Sequence, residues 1–289
     1  MKLTLACSIF IQVLTSAELA SAQSTSIHGE IQQVYNFQPR LLNQQQIAQK
    51  SAILDQFWAK TKQQRSLYVP GLRDELNNFS NPPFFLYDGS TLLLSLSDTA
   101  EDRKIALAAI AHCDLRDLKA SDYFFQVHRL AALNEDTTAA AFHILEQPAF
   151  TVFVPQHALT LGQNYALVYL LLPTDPNYWV GPAIARIAAE RDQTAQKSLL
   201  LLLWYAQTDA ADKAINDFVS NAGKPAEVRA YARGLLSRKG NLGPIDGAEA
   251  LLTTEQSLRQ KRRERLKAVS DEALLDLDNY TLMLIGKRK

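Results

Sequence analysis

Thr194-Ala195-Gln196-Lys197-Ser198-Leu199-Leu200-Leu201-Leu202-Leu203-Trp204-Tyr205 opens with a polar turn and closes with an unbroken apolar run from Leu199 to Tyr205. A helix through that run is apolar on every side. A membrane span needs about 20 such residues, so the run is far too short to cross a bilayer. A short helix with no polar face belongs at the centre of a packed array, covered by other helices. Its surroundings fit that reading: apolar residues recur at helical spacing over 165–172, 178–190, 210–220 and 226–238, with short connections. The pattern predicts an all-α fold of stacked antiparallel helical pairs.

Composition agrees. Of 289 residues, 47% are hydrophobic and 21% charged, with 30 basic side chains against 30 acidic, so the chain is neither disordered nor collagen-like. Only 11 glycines are present, fewer than an all-β architecture with many tight turns requires. The balanced charge creates no global field for nucleic acid or anionic lipid.

Residues 1–22 read as a secretory signal peptide. Lys2 is the positive start, 3–14 the short apolar core, and Ala20-Ser21-Ala22 the small residues of a cleavage site near Ala22. The expected location is periplasmic or secreted. Cleavage removes Cys7 and leaves Cys113 within the apolar run 105–113, where it reads as a small buried hydrophobe.

Four parts are expected: the signal, an N-terminal helical hairpin over 23–81, a helical-repeat domain over 82–240 and a charged helical extension over 241–289. In the hairpin, Leu42, Ile47, Ile53, Leu54, Phe57 and Trp58 recur near a 3.6-residue period, and Tyr68-Val69-Pro70-Gly71 is expected to break the helix before a second one over 72–79. Residues 84–97 admit two readings, a hairpin turning at Asp88-Gly89 or one buried helix. The leucine-rich run 92–96 lacks β-branched residues and favours helix. Further on, Thr99 with Glu101 and Asp102 opens a helix, Ser121 caps another, and Asp136 or Thr137 caps a third. Phe150-Thr151-Val152-Phe153-Val154 is β-like but has no evident partner, and is expected to be an extended connector.

Lys224-Pro225-Ala226-Glu227-Val228-Arg229-Ala230-Tyr231-Ala232, with Leu235 and Leu236 completing an inner face, resembles the second helix of a HEAT-type repeat. Asp192 to Leu199 is a weaker example, 34 positions before Ala226 (226 − 192). The resemblance covers residues 182–238. It implies an α-solenoid and a scaffold or adaptor role, and it transfers no catalytic residue. A helical pair cannot bury its own apolar face, so pairs of this kind stack and expose a long surface to a partner.

The sequence carries no GxSxG, HExxH, CxxC, Walker-type or GxGxxG signature. Its candidate chemistry is a set of four histidines, His112, His128, His143 and His157. A metal-assisted hydrolase would gather some of them, with His112, His128 and His143 as the candidate ligands and Asp122 or Asp136 nearby. Ordinary packed or surface histidines fit the same spacing. Candidate binding residues are Tyr123, His128 and His157, together with Gln163 and Asn164 in a polar turn, where either amide also suits the cap of the helix at Tyr165. A basic stretch containing Arg259, Arg262 and Arg263 is either a solvated helix face or an attachment site for an anionic envelope surface. The expectation is a non-catalytic binding or scaffolding protein with a protein or envelope component as partner, without a cofactor, specific nucleic acid or mature transmembrane segment.

Overall fold

Helix dominates the computed structural model, which describes residues 27–147, 149–154 and 158–238 together with 250 and 252. The expected signal peptide, His157 and the arginines Arg259, Arg262 and Arg263 lie outside the described residues. Two compact units divide at Asp117 and Leu118. Among the described residues no helix is long and apolar enough to cross a membrane.

The first unit contains α1 (27–35), α2 (Gln44–Gln63), α3 (Arg65–Leu76), α4 (Pro83–Leu96) and α5 (Ala100–Ile110). Helix α3 packs against α2, α4 and α5, and α4 packs against α5. This grouping puts α4 and α5 with the N-terminal helices, whereas the sequence reading joined them to the repeats.

Helix α2 opens with a capping box, in which the Asn43 side chain accepts from Gln46 N and Gln46 Oε1 accepts from Asn43 N. Its apolar period does not all turn inward: Phe57 is buried, while Ile47 and Ile53 are exposed. The break between α2 and α3 falls at Gln64, not at Pro70, which lies inside α3. Proline fixes a helical φ but lacks the N–H that would reach Ser66 and crowds that carbonyl, so α3 carries one missing bond at its middle and is held there by the burial of Tyr68, Val69 and Leu72. At Gly71, the next residue, the Ile27 side chain packs close, and a Cβ there would lie 2.6 Å from Ile27 Cδ1.

Residues 84–97 fall on α4, the helical reading. Gly89 makes no turn: a Cβ on it would come within 2.6 Å of the Phe85 ring, which covers that face of the helix. Leu92 and Leu93 are fully buried. Thr99 caps α5, accepting from Asp102 N and donating to Asp102 Oδ2.

The second unit contains α6 (Ala120–Ala132), α7 (Thr138–His143), α8 (Gln163–Leu171), α9 (Pro176–Ala189), α10 (Gln193–Ala206), α11 (Asp209–Ser220) and α12 (Ala226–Ser237). Helix α10 is the centre anticipated from its sequence. It packs against α8, α9, α11 and α12, and Leu199 to Tyr205 are all buried. Burying each leucine stabilises by roughly 1.5–3 kcal/mol relative to leaving it exposed. Further contacts link α7 with α9 and α9 with α11, and α7 with α8 and α11 with α12.

One expectation fails here. Residues 151–154 are not a lone connector but strand β1 (Thr151–Val154), paired antiparallel with β2 (Leu159–Gly162) in the register Thr151 with Gly162 and Val154 with Leu159. The partner was hidden because it is only four residues long. Val152, Val154 and Leu161 turn inward and Phe153 outward, the two-residue alternation of a half-buried strand. This hairpin packs on α6 and α8.

Candidate functional site

The polar and aromatic residues singled out in the sequence converge mainly where α6, α7 and α8 meet. On α6, Tyr123, Phe124, Val127 and His128 occupy one inner face, the i, i+1, i+4, i+5 pattern of a buried helical stripe. The cap of α6 is Lys119, not Ser121, whose hydroxyl faces Asp122 Oδ1. At α7 the residue in the cap position is Thr137, but the backbone donor that needs a partner, Thr138 N, is taken by Asp136 Oδ1 at 3.1 Å.

Tyr123 is fully buried and its hydroxyl donates to the Ala140 carbonyl, tying α6 to α7. Its ring meets His143 edge-on with centroids 6.3 Å apart. His128 is 1% exposed. Its ring lies 4.7 Å from that of Tyr169 on α8 and parallel to Phe124, so it belongs to an aromatic stack. His143 reaches forward along its own segment to Glu146 Oε2 at 3.2 Å.

His112 belongs to the other unit. It stacks on Phe79 with centroids 3.9 Å apart and planes 7° apart, and its Nδ1–H donates to the Ala108 carbonyl at 2.8 Å. Among the described residues no three His, Cys, Asp or Glu side chains gather as a metal-binding group.

Gln163 does not cap α8; Gly162 holds the cap position. Instead the buried Gln163 amide donates to the carbonyls of Ile144 and Gln147, each at 3.0 Å, and its Oε1 accepts from the Ser198 hydroxyl at 3.1 Å. One side chain therefore closes the chain turn after α7 and joins α8 to α10. Asn164 beside it is half-buried. Trp179 on α9 is wholly buried, and its Nε1–H meets no acceptor among the described residues.

Sequence reasoning missed a second constellation, in the first unit. Asp88 Oδ2 accepts from the Tyr35 hydroxyl at 2.6 Å and from Trp58 Nε1 at 2.9 Å, so a single oxygen of α4 holds α1 and α2. Burial pushes the Asp88 carboxyl above its ordinary value, and the charge of Asp55 adds to that against the two hydrogen bonds. The available signal was a single carboxylate in the apolar run Phe84 to Leu96, which had instead suggested an Asp-Gly turn.

Comparison of the chain with protein-family models, with curated proteins and with solved structures finds no match.

Proposed function

We propose that this is an exported, non-catalytic binding or scaffolding protein, built as a HEAT-like α-solenoid, that engages a protein or another envelope component through its stacked helices. The observation that carries the reading is the set of helix contacts in the second unit. Helix α7 contacts α9 and α9 contacts α11, while α8 contacts α10 and α10 contacts α12. Stacked helical pairs would give contacts of this kind, each pair burying its face against the next and leaving outer faces available. Two large apolar side chains of this unit stay in water, Phe153 on the hairpin and Tyr178 at the start of α9. Aromatic side chains of this kind are common anchors at protein interfaces.

The placement of the histidines favours this reading over a metal-assisted hydrolase. His128 is in an aromatic stack, His143 is paired with Glu146, and His112 lies against Phe79. A hydrolase would instead direct at least two of them, with a carboxylate, into one open pocket.

The test is cross-linking of the mature protein in its native envelope or secreted fraction, comparing wild type with the double variant Phe153→Ala, Tyr178→Ala. A cross-linked partner that the wild type retains and the variant loses, with helical content unchanged, supports the reading. An identical cross-linking pattern, or stoichiometric transition metal that His128→Ala and His143→Ala abolish, overturns it.

A further inference from the structure

Asp88 is a carboxylate with half of its binding capacity unused. Tyr35 and Trp58 both donate to Oδ2, and no described residue donates to Oδ1. Asp88 as a residue is half-buried, so its side chain is not sealed from solvent. No described lysine, arginine or histidine forms an ion pair with it; the neighbouring charge is Asp55, of the same sign, three residues before Trp58 on α2. A largely desolvated carboxylate beside a second carboxylate is the arrangement that gains most from a cation.

The walls around it are aromatic. Phe84 lies one helical turn before Asp88 on α4, on the same face. Its ring centroid is 6.2 Å from Tyr35 and 5.4 Å from Phe37. Phe37, Phe84 and Trp58 are each half-buried, so part of every ring remains accessible. Two of these rings already carry ammonium groups of the chain itself: Lys50 Nζ lies over the Phe37 ring, 4.9 Å from its centroid, and Lys62 Nζ over Trp58, 5.4 Å away. The rings of this cluster therefore attract cations, as these two lysines show.

We infer that Asp88, Phe84, Phe37 and Trp58 form a binding site for a primary alkylammonium group, whose N–H donors meet Asp88 Oδ1 while its charge and first methylenes lie against the rings. A quaternary ammonium has no N–H for Oδ1. A hard divalent cation needs about six oxygen ligands and finds a single free one on Asp88. An anion is repelled by Asp55 and Asp88 together. The inference is independent of the solenoid reading, since the site lies wholly in the first unit.

The experiment is calorimetric titration of the mature protein with n-butylammonium at pH 7.5, where the amine keeps its proton. Tetramethylammonium and sodium at equal ionic strength serve as controls. Binding should be saturable, with n-butylammonium preferred over tetramethylammonium by about fivefold or more, the loss expected for one charge-assisted hydrogen bond. Asp88→Asn preserves an acceptor for Tyr35 and Trp58 but removes the charge, and should weaken binding about tenfold or more. Phe84→Leu keeps the carboxylate and removes a ring wall, and should weaken it severalfold; it carries the test by itself if Asp88→Asn fails to fold by circular dichroism. Cadaverine and a blocked Gly-Lys-Gly peptide distinguish a free diamine from a protein lysine as the source, and saturable binding of either one supports the site. Absence of saturable binding, equal binding by Asp88→Asn or Phe84→Leu, or equal effects of sodium would overturn it.

Discussion

Arg73 Nε donates to Asp102 Oδ1 at 2.7 Å, and Arg73 Nη2 reaches Oδ2 at 3.2 Å, so a two-pronged ion pair joins α3 to the first turn of α5. Asp102 is fully buried and also receives the hydroxyls of Ser97 and Thr99. One carboxylate therefore caps a helix and docks its neighbour. Burial by itself would push this carboxyl up; the hydrogen bonds from Arg73, Thr99 and Ser97 outweigh it and hold the group well below the usual carboxylate range.

Replacing Arg73 by alanine leaves that buried charge without its guanidinium. The expected loss is about 2–4 kcal/mol, discounted from the fully buried case because Arg73 is partly exposed. Thermal unfolding checks it, and an unchanged melting temperature would remove the pair from the account of the fold. The pH dependence has a definite sign. A carboxyl depressed in the folded state contributes its full stability above the ordinary carboxylate range, and loses it as pH falls from about 5 through that range towards the folded value. Asp102→Asn should flatten that part of the acid-unfolding profile.

Asp88 behaves in the opposite direction. Its carboxyl is raised in the folded state, so ionisation costs stability as pH rises through the ordinary carboxylate range, and the cost is constant once the folded group has ionised. Asp88→Asn is expected to be at least as stable as wild type at neutral pH, with the difference vanishing near pH 3. Asp88→Ala instead leaves the buried Tyr35 hydroxyl without its acceptor, which costs roughly 1–3 kcal/mol. Urea titrations of the two variants at both pH values separate charge from hydrogen bonding.

Gln163→Leu matches the side chain in size but removes three hydrogen bonds at once. The Ile144 and Gln147 carbonyls and the Ser198 hydroxyl all lose this partner, while Ser198 keeps the Thr194 carbonyl. Both carbonyls keep a backbone donor, Ile144 O from Gln147 N and Gln147 O from Phe150 N, so a destabilisation of about 1–2 kcal/mol is expected from the lost amide bonds. A urea midpoint equal to that of wild type would show that water replaces the amide.

Cys113 should be inert while the protein is folded. Burial, with a further contribution from the negative charge of Asp114, pushes its thiol up to about 12, leaving about one part in ten thousand as thiolate at pH 8. In the native protein Cys113 should not react with a disulfide reagent such as DTNB over hours, whereas in concentrated guanidinium chloride the same thiol should be modified, as peptide mass mapping reads. Rapid labelling of the native protein would mean that the 105–113 segment opens readily.

The candidate site was legible in the sequence only as an inventory. Tyr123, His128 and Gln163 were recognisable as unusual residues, yet their partners are Ala140, Tyr169, Ile144 and Ser198, from 17 to 41 positions away. Gln163 looked like a helix cap because the cap rule is local, and its amide instead donates to two carbonyls of the turn after α7, each as a second donor beside a backbone N–H. Asp88-Gly89 carried a strong turn signal, overridden because the helix buries Leu92 and Leu93 and because Phe85 packs over the missing Cβ.

The sequence by itself determined the helical class and the central position of α10, because both follow from period and polarity along a single segment. It also marked the capping of α5 by Thr99 and the burial of Cys113, which depend on near neighbours in the chain. Tertiary structure decided the rest: the β1–β2 pairing, the continuation of α3 through Pro70, the gathering of Tyr35 and Trp58 on Asp88, and the bridge from Gln163 to α10. Each depends on a partner distant in sequence, and a hydrogen bond or ion pair gains its energy only when folding has brought that partner within about 3 Å and excluded water around it.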